Sequence, residues 1–275
     1  MSLEHFKTYI KDIHNLGNAL AVLEWDQKTY MPSGGAEARA EQIAALSKVI
    51  HQMTTADEMG RLLEAAEAEA AALPYEHDDA ALVRVLRREY DQQTRIPTDL
   101  VVEFRRATSL ANAAWEQARA ADDFASFFPH LEKIFELTGQ QAEHLGYDEH
   151  IYDALLDQYE PGMTTADVRR VFDALRAQLV PLVQQISAQH DPTRADILRR
   201  DYAPQQQAVF GQMVIQKLGY DFTRGRQDET AHPFCIPFSQ NDVRITTRYA
   251  PNWLPAALFG SIHETGHALY ELGGA

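Results

Sequence analysis

The sequence predicts a mainly α-helical fold with a small β-hairpin or sheet ahead of its last helix. Three observations predict it. Apolar residues return at three- and four-residue intervals over most of the 275 residues; Pro and Gly interrupt those stretches where helices would end; and between Phe222 and Tyr249 the texture changes to Gly, Pro, Thr and alternating side chains. The organisation expected is one mostly helical domain over 1–275, with a helical region over 1–220 and a β-hairpin plus one further helix over 221–275.

Taken in order, Leu3, Phe6, Ile10, Ile13, Leu16, Leu20 and Leu23 recur close to every 3.5 residues, the spacing of a seam packed against another helix. Met31-Pro32-Ser33-Gly34-Gly35 breaks it, and Ala36, Ala40, Ile43, Leu46 and Ile50 begin a second stripe, so residues 3–52 read as an antiparallel helical hairpin. The Ala/Glu-rich run from Leu62 to Leu73 is a good exposed helix former. Pro97 and Pro129 suit first-turn positions, Thr164 with Asp167 three residues on is a capping pair, and Gly219 is a C-terminal stop. Val168, Phe172, Leu175, Leu179 and Leu182 form another stripe, expected to face the core. Ile245, Thr246, Thr247 and Tyr249 favour extended backbone. After Pro251 and Pro255, helical spacing returns at Leu258, Phe259, Ile262 and Leu269.

Composition excludes several classes. With 45% hydrophobic and 24% charged residues the chain is neither disordered nor collagenous. Forty acidic against 25 basic side chains give a net charge of -15, which is repelled by phosphate backbones and anionic lipid; no nucleic-acid or membrane role is expected. The single cysteine, Cys235, cannot form an internal disulfide and reads as a small hydrophobe before a nucleophile. Charges interrupt the apolar residues of the first twenty positions, unlike a signal peptide, and no apolar run reaches the roughly 18 residues that span a bilayer, so a cytoplasmic location is expected.

The string that carries chemistry is His263-Glu264-Thr265-Gly266-His267 on the last helix. Residues four apart share a helical face, so both imidazoles can reach one metal ion while Glu264 approaches its water. In that arrangement the ion polarises a scissile carbonyl and acidifies the water, and the glutamate moves the proton to the leaving amine. The alternative is two ordinary histidines on a helix. Neither a phosphate-cradling glycine loop nor a Gly-x-Ser-x-Gly string is present.

Upstream stand His232-Pro233-Phe234 and Asp242-Val243-Arg244-Ile245-Thr246-Thr247-Arg248. With His263 to His267, in this order and proximity, they resemble the carboxypeptidase Taq family of metallocarboxypeptidases. Trp25-Asp26-Gln27 with Tyr30-Met31-Pro32, the run Gly34 to Arg39, and Tyr152-Asp153-Ala154-Leu155-Leu156 through Glu160 to Thr164 extend the resemblance over essentially the whole chain. It implies a mostly helical fold with a long groove, a divalent ion such as zinc or cobalt, and stepwise release of C-terminal residues from peptides with a free C-terminus. Members of that family run to nearly twice this length and supply, after the His-Glu-x-x-His helix, a glutamate as third ligand and an arginine-bearing segment. The resemblance thus implies Glu264 as the catalytic residue and His263 and His267 as the metal ligands, with the third ligand absent from this chain.

Weaker assignments surround this centre. His232 and Asp242 stand as wall or supporting groups, Arg244 and Arg248 as candidates for holding a substrate carboxylate through a guanidinium fork, against the alternative of surface ion pairing. Asp242 either orients an imidazole or initiates a turn after Asn241; Trp25 and Asp26 either line the groove or belong to the core. A zinc helix without its usual covering half exposes an apolar patch, from which a homodimer or a separately encoded C-terminal half is expected as partner. The competing reading is a catalytically inactive helical protein of the same descent that serves in binding or assembly.

Overall fold

The computed structural model describes residues 2–189, 196 and 198–273 of the chain. It is mainly helical with one small sheet, and contacts divide it into two compact units. Unit 1 comprises residues 1–20 and 32–173, unit 2 residues 21–31 and 174–275.

Unit 1 is built from the first part of α1 (Ser2–Thr29), α2 (Ala36–Thr54), α3 (Asp57–Ala70), α4 (Asp78–Gln93), α5 (Thr98–Ala121), α6 (Phe124–Leu145), α7 (Ile151–Leu156) and the start of α8 (Thr165–Ala188). Phe6 of α1 is fully buried against Met59, Leu63, Ala66 and Ala70 of α3 and Val83 of α4. The run read as an exposed helix former therefore has a buried stripe, because Leu63 and Ala66 fall on the same face three residues apart. The break at Pro32 is where the sequence places it, with a single 3-10 turn over Ser33–Gly35. The Tyr9 hydroxyl donates to the Met53 carbonyl at 3.0 Å and links α1 to the end of α2, but α2 packs chiefly along α5, where Ala40, Ala44, Ala111 and other small residues bring the backbones close. A second cluster joins Ile96 and Leu100 to Leu137, Ala142, Leu145 and Ala154.

Pro129 departs from expectation. Asp123, whose carboxylate accepts from the Ser126 N–H, caps α6 at Phe124, so Pro129 is the sixth residue of the helix rather than in its first turn. The missing N–H forfeits one bond near the end, which the helix tolerates. Pro97 is the N-cap of α5, just before its first turn. The Thr164–Asp167 cap forms as expected, the Asp167 N–H donating to Thr164 Oγ1 at 3.2 Å.

The α8 stripe is the larger correction. No described residue of α8 is buried, and Phe172 is 61% exposed, with Leu175, Leu179 and Leu182 exposed as well. Periodicity records that a helix has an apolar face; it does not supply the surface that covers it, and none of the described residues does.

Unit 2 holds the end of α1, the rest of α8, α9 (Pro204–Lys217), β1 (Gln227–Glu229), β2 (Cys235–Ser239), β3 (Asp242–Thr247) and α10 (Leu254–Gly273). Gly219 ends α9 with φ 107, a conformation that side-chain-bearing residues rarely adopt. The strand order is β1-β3-β2. β1 runs parallel to β3, with Gln227 opposite Ile245; β2 returns antiparallel, with Cys235 opposite Ile245 and Pro237 opposite Val243, then slips in register before Ser239. This is the hairpin expected before the last helix, widened by one parallel strand.

Central β3 is covered on both faces, and its alternation separates them. Val243 and Ile245 pack with Ile215 of α9, Tyr220, and Ala268 and Leu272 of α10. Arg244, on the other face, lies over the rings of Trp25 and Phe238. The Tyr220 hydroxyl reaches the Val243 and Arg226 carbonyls at 2.8 and 3.0 Å; its titration is pushed far up by burial. A methyl on Gly225 would lie 2.3 Å from both that hydroxyl and the Val243 carbonyl oxygen, so only glycine fits.

Candidate metal centre

Helix α10 is fixed from below before it reaches its chemistry. The fully buried Thr247 at the end of β3 donates its hydroxyl to the Ala257 carbonyl in the first turn, and Ala257, Ser261, Thr265, Ala268 and Leu272 form the buried stripe. At about 100° per residue, His263 and His267 fall some 40° apart on the opposite, exposed side. Glu264 lies at the boundary, about 60° from His267 toward the buried stripe, and is only 7% exposed.

The two imidazoles converge. His263 Nε2 and His267 Nε2 stand 3.2 Å apart, with the rings 4.9 Å between centres and nearly perpendicular at 80°. Two nitrogens each bound at 2.0–2.1 Å to one tetrahedral zinc are separated by about 3.3 Å. The pair therefore fits a shared divalent ion without rearrangement. In the absence of an ion the same spacing is an N–H···N hydrogen bond in which one ring donates to the other.

Burial raises the Glu264 pKa above the ordinary carboxylate range, while the charges of His263, His267 and His232 pull it back down. His232, exposed just before β2, is thus within electrostatic reach of the same carboxylate. Cys235 sits half-buried beside it, its thiol pushed up to about 12 chiefly by burial and further by Glu264 and Glu271, so it stays protonated and is no nucleophile. Among the described residues no group of three or more His, Cys, Asp or Glu side chains is placed to hold an ion; the centre offers the two histidines alone.

Other residues singled out from the sequence fall elsewhere. Arg244 donates from Nε and Nη2 to the two carboxylate oxygens of Asp242 at 2.9 and 2.8 Å, so both are engaged with each other. The hydrogen bond of each imidazole is to the other, and those of the Asp242 carboxylate are to Arg244. Arg248 is exposed immediately after β3. Trp25 is 7% exposed and is core. The backbone of Phe234 is held by Thr246, which receives the Phe234 N–H on its hydroxyl at 2.8 Å and donates its own N–H to the Phe234 carbonyl at 2.9 Å.

Sequence reasoning missed the network under this region. Arg226 grips the buried Asp228 with Nε and Nη2 at 2.7 and 2.6 Å and donates to the Tyr30 hydroxyl at 2.9 Å, while Tyr30 donates to Asp228. It also missed Gln227, whose Nε2 donates to Ser261 Oγ at 2.6 Å. The local signal was Ser261 itself, a polar residue that, like Thr265, lies within the buried stripe.

A family model described as carboxypeptidase Taq (M32) metallopeptidase matches residues 5–275. Among curated relatives, "Carboxypeptidase 1" of Bacillus subtilis is 36% identical over 268 residues, covering 98% of this chain and 53% of that protein. "Thermostable carboxypeptidase 1" of Thermus thermophilus is 40% identical over 263 residues, covering 92% of this chain and 51% of that protein. The solved structure titled "BsuCP Crystal Structure" superposes with a TM-score of 0.93 at 36% identity, over 98% of this chain and 54% of that one. An M32 carboxypeptidase from Deinococcus radiodurans superposes at 0.81 with 38% identity, over 99% of this chain and 54% of that one. The chain spans about half the length of the curated relatives it matches.

Proposed function

The chain belongs to the carboxypeptidase Taq family of metallopeptidases, and from that membership we propose that its α10 carries the ion-binding and proton-transferring part of a peptidase releasing C-terminal residues from peptides in the cytoplasm. The observation that carries this is the 3.2 Å approach of His263 Nε2 to His267 Nε2 beside the buried Glu264.

Bound there, a zinc or cobalt ion supplies Lewis acidity toward the scissile carbonyl and makes water more acidic near neutral pH. His263 and His267 contribute neutral nitrogen lone pairs. Glu264 accepts a proton from the attacking water as the C–O bond forms, and delivers it to the amide nitrogen as the C–N bond breaks. Burial favours its protonated form and the neighbouring imidazoles favour its ionised form, the two states between which the transfer alternates. His232, within electrostatic reach of Glu264, favours the ionised state that starts the cycle. Arg248, exposed beyond β3, is the arginine we assign to the substrate carboxylate; Arg244 is committed to Asp242.

With two ligands among the described residues, a second reading is favoured by one observation: the ion's remaining protein ligand comes from a group outside the described residues, or the chain is a binding module without turnover. A second copy of this chain or a separate C-terminal half is the partner proposed, with the exposed apolar face of α8 as the contact surface.

The test pairs elemental analysis of bound metal with hydrolysis of C-terminally unblocked peptides. One zinc per chain, and turnover that disappears in Glu264→Gln while zinc is retained, supports the peptidase reading. Turnover that survives Glu264→Gln overturns the role given to that residue. Zinc binding unchanged by His263→Ala overturns the metal centre.

A further inference from the structure

The ligand-bearing face of α10 is exposed, so the rotation of the helix must be set from its buried face. Ala257, Ala268 and Leu272 contribute apolar burial there, which is a non-directional force. Thr247 Oγ1 holds the first turn at the Ala257 carbonyl and Arg224 Nη2 the end of the helix at the Leu272 carbonyl, at 3.2 and 3.0 Å, and one directional bond reaches the turn between them that carries the ligands. Gln227 of β1 donates its Nε2 proton to Ser261 Oγ at 2.6 Å, two residues before His263 and three before Glu264.

Two further features bear on that bond. The amide oxygen of Gln227 is buried with no hydrogen-bond partner among the described residues. A leucine would fill the space without that desolvation penalty, so packing alone does not account for an amide here. On the far side of Glu264, Thr265 donates its hydroxyl to the Ser261 carbonyl at 2.7 Å, and both Ser261 and Thr265 are 1% exposed. Ser261 is hemmed in from α9 too, where a methyl on Gly211 would stand 3.7 Å from its Oγ. The donor itself is anchored. β1 is held in register by Gln227 opposite Ile245, and the neighbouring Asp228 is gripped by Arg226 and Tyr30.

We propose that Gln227 is a positioning residue that, through Ser261, fixes the turn of α10 carrying His263 and Glu264. It rests on the reading of that turn as the metal centre, and it acts at a distance, touching neither ion nor substrate. Supporting residues behind metal ligands commonly change metal affinity ten- to a hundredfold on substitution.

The experiment uses the whole chain. Amide hydrogen exchange of residues 261–267 is measured without metal, and zinc affinity by chelator competition, for the unsubstituted chain, Gln227→Leu, Ser261→Ala, Gln227→Glu and Tyr220→Phe. Gln227→Leu and Ser261→Ala should each speed exchange across 261–267 at least tenfold and weaken zinc about tenfold. Gln227→Glu has no proton to donate, so the bond re-forms only with the Ser261 hydroxyl donating to the carboxylate, and it should restore part of the protection lost in Gln227→Leu. Tyr220→Phe loosens the same unit away from this turn and should leave both readouts near the unsubstituted values. Exchange unchanged in Gln227→Leu and Ser261→Ala, or faster by the same factor throughout β2 and β3, overturns the proposal. If the unsubstituted chain takes up no zinc, the metal-centre reading fails, and the exchange comparison by itself decides the role of Gln227.

Discussion

The guanidinium of Arg244 lies 4.4 Å from the centre of the Trp25 ring, which stacks a side chain of the central strand on the last turns of α1. Arg226 approaches the same ring at 5.4 Å. One buried indole thus joins two arginines whose charges are answered by Asp242 and Asp228.

Because that ring is buried and doubly stacked, Trp25→Ala should cost about 3–5 kcal/mol in unit 2. Arg244→Lys keeps the charge but loses the planar fork on Asp242 and most of the stacking, and should cost about 1–2 kcal/mol. Urea denaturation followed by circular dichroism measures both; an Arg244→Lys chain as stable as the unsubstituted one would mean the ring is held by something other than the stack.

His51 gives unit 1 a pH dependence. Its ring is buried between Thr98 Oγ1 at 3.0 Å and the Gln93 carbonyl at 3.2 Å, and burial lowers its pKa. The folded state therefore holds a neutral ring that the unfolded chain protonates below its ordinary value of about 6.5. The contribution is complete above that value and is lost as pH falls toward the depressed folded pKa. Between pH 7 and 5 the thermal midpoint should drop further in the unsubstituted chain than in His51→Gln. Equal drops would assign the acid sensitivity to other groups.

Gly225→Ala should be among the most damaging small substitutions in unit 2. The added methyl meets the Tyr220 hydroxyl and the Val243 carbonyl at 2.3 Å, and relieving it breaks the hydroxyl's bond to the sheet. A loss of about 3 kcal/mol is expected from overpacking together with the broken bond. Combining it with Tyr220→Phe should recover part of that loss, as a double-mutant denaturation cycle would reveal.

Zinc bound at His263 and His267 should be released in acid, because each ligand nitrogen must be unprotonated to bind. Affinity measured from pH 7.5 to 5.5 should fall by more than tenfold, and His267→Ala should abolish tight binding and make what binding remains less steep in pH. A flat profile would place the ion on other ligands.

The apolar face of α8 should drive association. Light scattering over micromolar concentrations should give a mass above the monomer, and Phe172→Glu with Leu179→Glu should lower it. A monodisperse monomer at all concentrations would remove α8 from the partner surface.

How far the sequence could be read follows from the range of the forces involved. The break at Pro32, the Thr164–Asp167 cap, the Gly219 stop and the strand through Ile245 to Thr247 are local, set by a few neighbouring residues, and they are where the sequence puts them. The His-Glu-x-x-His spacing was equally legible, because helical geometry alone places His263 beside His267. The packing of α2 along α5, the uncovered stripe of α8 and the Arg244–Asp242 pair depend on what lies across the fold, and periodicity is blind to that. Gln227 and Ser261 are 34 residues apart and obey no spacing rule, so only the sheet and helix together reveal them.

Pro237 has a consequence for the sheet's outer border. Thr246 and Phe234 form a hydrogen-bonded pair, so the alternation of an antiparallel ladder turns position 237 away from β3, toward open solvent. There a proline offers no N–H, and the slip before Ser239 bends the strand further from regularity. An incoming extended chain would find no continuous row of donors to zip onto, and β1, three residues long, presents too short a template on the opposite border. Neither border of this sheet therefore offers a ladder onto which a second copy of it could be added strand by strand.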